Sequence, residues 1–110
     1  MSCSLRSLER VHRARLEALV AGTAVFRPSE VAIAVELLDR AVEGDDDYRL
    51  VGAFEGDDLI GYACWGPTPG TEGTFDLYWI AVDRGRQGGG VGSVLLAHVE
   101  RTLRAHDGRL

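Results

Sequence analysis

The sequence predicts an α/β fold of the α+β kind, in which two N-terminal helices precede antiparallel strands and a closing helix. Three observations predict it. Apolar residues recur at helical spacing through residues 5–42. At Tyr48 the pattern changes to short apolar runs separated by turn residues, the mark of strands. The last of those runs leads directly into a glycine cluster and then into a second helical stripe.

The elements follow in order. Leu5, Leu8, His12, Leu16 and Leu19 share one helical face, and Gly22 is placed to end that helix. A second helix fits residues 29–43, with Ser29 as N-cap after Pro28 and Val31, Val35, Leu38 and Val42 facing the core. Gly44 and the acidic run Asp45, Asp46, Asp47 stop it. YRLVGAF and LIGYACW, joined by EGDD, read as an antiparallel hairpin with a tight acidic turn. After the loop GPTPGTEG comes TFDLYWIAV, whose continuous aromatic and β-branched content predicts a central strand buried on both faces. VGSVLLAHVERTLRAH then carries Val91, Leu95, Val99 and Leu103 as one helical stripe.

Composition bounds the function. A chain of 110 residues, 45% apolar, builds one small core, so residues 1–110 are read as a single domain. Cys3 and Cys64 form no disulfide framework or metal spacing, and the N-terminus has no uninterrupted apolar stretch of the signal-peptide kind, so a reducing, cytoplasmic setting is expected. No apolar run reaches the roughly 20 residues of a membrane-spanning helix. His12, His98 and His106 stand apart from one another and from clustered carboxylates, so no metal is expected. The net charge of -5 argues against a general nucleic-acid binder. The charge is uneven: seven Arg against fourteen acids in residues 1–82, five Arg against three acids in 83–110. The cationic segment contains the glycine cluster. The acids at positions 43, 45–47, 57 and 58 offer either attraction for a cationic amine or plain solvated turns.

RGRQGGGVGS, residues 84–93, holds five of the fourteen glycines, between a strand and a helix. The first turn of a helix presents unpaired N–H groups and partial positive charge, and glycine lets an anion's oxygen atoms reach those donors without meeting a Cβ. Arg84 and Arg86 add positive charge beside them. This order points to phosphate. It is not a Walker A loop, since the chain has no lysine, and the Rossmann spacing G-x-G-x-x-G is absent.

The spacing Gln87-Gly88-Gly89-Gly90-Val91-Gly92, Q-x-x-G-x-G after a strand ending Ala81-Val82-Asp83, resembles the acetyl-CoA signature of the GNAT N-acetyltransferase superfamily. The wider stretch FDLYWIAVDRGRQGGGVGSVLLAHVE is similar to that superfamily's central strand, pyrophosphate loop and helix, with Arg84 where proline is common, and the likeness extends at fold level over residues 7–110. The resemblance implies that main-chain N–H groups from Gln87 through Gly88, Gly89, Gly90, Val91 and Gly92 to Ser93 hold the pyrophosphate of acetyl-CoA. It implies that a splay or bulge frees the main chain of Ile80, Ala81 and Val82 to pair with the pantetheine arm. Arg84 and Arg86 are either contacts for outer phosphates or solvated loop arginines.

The activity implied is acetyl transfer from acetyl-CoA to a small-molecule or peptide amine by direct attack. It needs a group to take the amine's proton, an N–H for the oxyanion and an acid for the departing thiolate. Glu72 and Asp76, just before and early in the strand, are candidate bases, and Tyr78 is a candidate base or acid. The superfamily's later strand and helix, which often supply that acid, and a first strand before Ser7 have no counterpart in the sequence, so a truncated domain is expected. The alternative is an inactive CoA-binding module or half-domain that pairs with a second copy or a complementing chain.

Overall fold

The structure, a computed structural model, describes residues 3–110. A three-residue strand β1 (Ser4–Arg6) and a 3-10 turn (Arg10–His12) precede helices α1 (Arg13–Gly22) and α2 (Pro28–Val42). Strands β2 (Arg49–Glu55), β3 (Asp58–Pro67) and β4 (Phe75–Val82) follow, then helix α3 (Val91–Arg104). The sheet is antiparallel in the order β1-β2-β3-β4. Helices α1 and α2 cover one face with Leu16, Leu19, Val20, Val35 and Leu38. Helix α3 covers the other with the predicted stripe, Val91, Leu95, Val99 and Leu103, all buried.

The hairpin forms as expected: Glu55 pairs with Asp58 across a two-residue turn. Four local expectations change. The N-terminus does contain a strand, because Ser4, Leu5 and Arg6 pair with Phe54, Ala53 and Gly52. Leu5 and Leu8 therefore do not share a helix face: Leu5 packs on the α3 side of the sheet and Leu8 on the α1 and α2 side. Helix α2 starts one residue early, with Arg27 as N-cap and Pro28 in the first turn, where a missing N–H costs nothing. The Arg27 N–H is taken by Glu30 Oε1 at 2.9 Å, which replaces the Ser29 cap.

The fourth change concerns β4. The strand buried on both faces is β3, whose eight residues Leu59–Gly66 are all buried, while only Ala81 of β4 is fully buried. Small residues, Gly61, Ala63 and Gly66, let β3 sit under both layers, and its Tyr62 hydroxyl accepts the Trp79 Nε1–H at 2.6 Å. Burial pushes the neighbouring Cys64 thiol up to about 12, so it stays a protonated, inert core group. Among the described residues, β4 is flanked on its outer side only at its start, where Phe75 donates to the Arg109 carbonyl at 2.7 Å and Arg109 donates to Gly73 at 2.8 Å. From there toward Val82 the outer edge of β4 is open.

Candidate functional site

The strand-to-helix junction is built from the glycine cluster. After Val82 the chain makes a 3-10 turn, Arg84–Arg86, and enters α3 at Val91. Gly88 and Gly90 adopt φ of 86° and 87°, the left-handed region that side chains other than glycine rarely enter. Gly90 is the N-cap of α3. Among the described residues, no atom beyond the two chain neighbours lies within 4 Å of the place a Cβ would take on either glycine, so both face open space. Gly92 carries no such strain, and its Cβ would meet only Val82 Cγ2, at an ordinary 3.8 Å. Neither backbone conformation nor packing within the fold demands glycine at 92.

Counting hydrogen bonds identifies the donors. In the loop, Arg86 N–H goes to Asp83 O at 2.8 Å and Gly89 N–H to Arg86 O at 3.3 Å, and Val94 closes the first turn onto Gly90 O at 3.1 Å. Among the described residues, the N–H groups of Gln87, Gly88, Gly90, Val91, Gly92 and Ser93 have no acceptor. The residues that carry them line, at the positive end of α3, a depression of about 430 Å³ together with Val82 and Arg86. These residues fit a phosphate-bearing ligand. The predicted set is thus largely assembled, except that Gly89 uses its N–H internally and Arg84 is exposed outside the lining.

The two arginines divide. Arg86 is held by Glu55 on the hairpin at 2.8 Å, so it braces the loop against the sheet and lines the depression at the same time. Arg15 of α1 bridges Asp58 at 3.2 Å and Asp83 at 3.4 Å, joining the same hairpin to the start of the loop. Half-exposed pairs of this kind add little stability. Their effect is positional: two elements distant in sequence fix where the glycine loop begins.

The open edge of β4 leads away from the depression. Asp83 N–H bonds Ile60 O at 2.8 Å, and antiparallel alternation then directs the main chain of Ala81 toward Tyr62 and that of Ile80 and Val82 outward. The Gln87 side-chain amide donates to the outward Val82 carbonyl at 3.3 Å. Of the three predicted residues, Ile80 and Val82 therefore present main-chain groups at the edge, and Ala81 does not. β4 does carry a bulge, but before these residues and not at them. Cys64 pairs with Trp79 and Trp65 with Leu77, leaving Tyr78 as the extra residue of β4.

Tyr78, Asp76 and Glu72 lie toward the start of β4. Tyr78 is 36% exposed, its ring 6.1 Å from that of Tyr48. Partial desolvation, with Tyr48 and the carboxylates of Asp76 and Asp47 nearby, raises its pKa above the ordinary tyrosine value. The hydroxyl is a proton donor at neutral pH rather than a base. Asp76 is exposed and pairs in the sheet with Gly66. Glu72 is exposed in the loop between β3 and β4 and has no hydrogen bond or ion pair among the described residues. Asp47 is the residue that sequence spacing did not connect with Tyr78; only the packing of the turn before β2 against Gly66 brings it there.

Among the described residues no group of three or more His, Cys, Asp or Glu is placed to hold a metal, and no helix is long and apolar enough to cross a membrane. The acetyltransferase (GNAT) family matches residues 10–110. Among solved structures, a GNAT-family protein from Desulfovibrio desulfuricans superposes with a TM-score of 0.93 at 41% identity, over 98% of this chain and 70% of that one. A GNAT family acetyltransferase from Brucella melitensis in complex with acetyl-CoA shares the fold with a TM-score of 0.78 at 20% identity, over 98% of this chain and 72% of that one. PaiA N-acetyltransferase from Thermoplasma acidophilum, in complex with coenzyme A, does so at 0.75 and 15%, over 96% and 74%. No curated protein matches the chain.

Proposed function

The chain belongs to the GNAT acetyltransferase family, and from that premise we propose that it is an N-acetyltransferase that moves an acetyl group from acetyl-CoA to an amine by direct attack. The observation that carries the reading is the set of acceptor-free N–H groups at Gln87, Gly88, Gly90, Val91, Gly92 and Ser93, facing open space at the start of α3. These donors and the α3 dipole hold the pyrophosphate. Ile80 and Val82, with outward main chain, extend the site along the β4 edge, and Arg84 adds charge at the rim. Two relatives that share the fold were determined with acetyl-CoA or coenzyme A, which supports the same ligand here.

Bound acetyl-CoA supplies an activated thioester, so the net transfer forms an amide C–N bond, breaks the C–S bond and moves one proton from the amine to the released thiol. The chain's part is to place and shuttle that proton. Asp76, exposed beside the β4 bulge, or Glu72 in the adjoining loop accepts it from the amine, directly or through water. Tyr78, at the bulge and neutral at pH 7, donates to the sulfur and is restored from solvent. From Val82 to Tyr78 is about 13 Å at 3.3 Å per residue. The reacting centre is thereby well separated from the pyrophosphate loop, which lets one long ligand touch both.

Two readouts on the intact chain test this proposal. Acetyl-CoA at 100 times its Kd should stabilise the fold by about 2.7 kcal/mol, and adding amines from a panel should release free thiol above the hydrolytic background. Absence of any melting shift contradicts donor binding. A shift with no amine-dependent thiol contradicts the transferase reading and favours a CoA-binding module.

A further inference from the structure

A second cavity, of about 380 Å³, opens beside Tyr78 on the sheet face opposite α3. Its walls come from two segments distant in sequence: Asp47 and Tyr48 before β2, and the end of β3 with the following loop, including Pro67 and Thr68. Gly66 is the reason they meet. A Cβ there would overlap the Asp47 carbonyl and come within 2.9 Å of the Tyr78 hydroxyl.

The lining is chemically specific. Tyr48 and Tyr78 bring two rings to the cavity, 6.1 Å apart, and aromatic rings attract cations. Thr68 and Thr71, from the loop after β3, complete the wall. Asp47 lines the cavity, with Asp76 close enough to act on Tyr78. The cation nearest the rings, Arg40, stands 5.8 Å over Tyr48 and is balanced by Glu36 at 3.0 Å. Of the other turn acids, Asp45 Oδ1 accepts the Asp47 N–H at 3.0 Å, and Asp57 and Asp58 pair with Arg6 and Arg15 at the hairpin tip.

We propose that this cavity takes the acceptor, and that the acceptor is a small organic cation bearing a second ammonium group besides the amine that reacts. The inference rests on the transferase reading above and adds the substrate class. A carboxylate bound only to the reacting nitrogen would oppose the deprotonation that attack requires. Asp47 is useful where a second, non-reacting cation remains charged. The volume suits a small molecule rather than a folded protein surface.

The test compares two amines of equal chain length, tetramethylenediamine and butylamine, with wild-type protein and Asp47→Asn. Binding to the coenzyme A complex is measured by calorimetry, turnover by thiol release, and folding by the melting shift with acetyl-CoA. The expected result is tighter binding and higher kcat/KM for the diamine, with Asp47→Asn lowering the diamine-to-monoamine ratio about tenfold while the melting shift persists. Turnover of both amines with an unchanged ratio in the variant overturns the proposal and leaves the transferase reading standing. Asp47-dependent diamine binding without turnover shows a diamine site but overturns the transferase reading, and with it the cavity's assignment to the acceptor. No diamine binding overturns the proposal whatever the turnover.

Discussion

Gly92→Asp should abolish the melting shift produced by acetyl-CoA while leaving the unliganded protein at least as stable as wild type. The two halves of that expectation have separate causes. Gly92 has no left-handed φ, and open space surrounds the position apart from Val82 Cγ2 at 3.8 Å, so a side chain fits. Replacing a helical glycine gains about 0.5–1 kcal/mol, and a carboxylate in the first turn gains roughly 0.3–1 kcal/mol from the dipole. The same carboxylate stands among the free N–H groups proposed to hold the pyrophosphate. Like charges about 4 Å apart repel by ~4 kcal/mol at an effective dielectric of about 20. With salt screening, a loss of about a hundredfold in affinity, or ~2.7 kcal/mol, is expected. Gly90→Asp would be less informative, because its φ of 87° adds strain to the ligand effect. Thermal melts with and without acetyl-CoA check the expectation. An undiminished shift in Gly92→Asp means the ligand does not sit on this loop.

Gly66→Ala should carry the largest stability cost of any single methyl added to the sheet. A Cβ at Gly66 would collide with the main-chain carbonyl of Asp47, and backbone cannot turn aside as a long side chain can. Relief requires the turn before β2 to lift from β3, which unpacks Tyr48 and opens the cavity beside Tyr78. A cost of about 3 kcal/mol, at the upper end of overpacking effects, corresponds to roughly 12 °C in Tm for a chain of this length. Denaturant unfolding of the variant measures it. A loss under about 1 kcal/mol would show that the Asp47 turn yields easily, and the cavity proposed for the acceptor would then have no fixed wall. Acetyl-CoA should still stabilise the variant, since the glycine loop lies at the other end of β4.

The stretch most legible in the sequence was the one whose logic is local. Val91, Leu95, Val99 and Leu103 face one way because a helix repeats every 3.6 residues, and the loop before them needs glycine for its own backbone geometry. Both features survive translation from pattern to structure without knowledge of any distant contact. Strand placement is different in kind. TFDLYWIAV is more continuously apolar than LIGYACW, yet β3, not β4, is buried on both faces. The apolar side chains of β4 serve an outer strand covered by helices, with its main-chain edge open. β1 was hidden because three residues with two polar side chains carry no period, and Leu5 and Leu8 happen to fit a helical spacing that the chain does not use. The cavity beside Tyr78 was illegible for a stronger reason. Asp47 and Tyr78 meet only because β3 carries a glycine where the turn before β2 crosses it, and no local pattern records a crossing.

The candidate catalytic residues fall between these cases. Asp76 and Tyr78 could be placed near the start of the strand by counting. The bulge that adds Tyr78 to β4, between Leu77 and Trp79, could not. The upward shift of its pKa, from partial burial first and then from Tyr48, Asp76 and Asp47, is a tertiary property.

The most direct measurement is an amide N–H spectrum of isotope-labelled protein titrated with acetyl-CoA. Among the described residues the N–H groups of Gly88, Gly90, Val91, Gly92 and Ser93 have no acceptor, so they should show the largest downfield shifts as oxygen atoms reach them. Arg86 and Gly89, whose N–H groups are already engaged within the turn, should move less. Changes centred on those five amides and extending to Ile80 and Val82 along the β4 edge are the predicted result. Saturable binding whose shifts leave these five amides untouched would contradict the assignment of this loop as the site that holds acetyl-CoA.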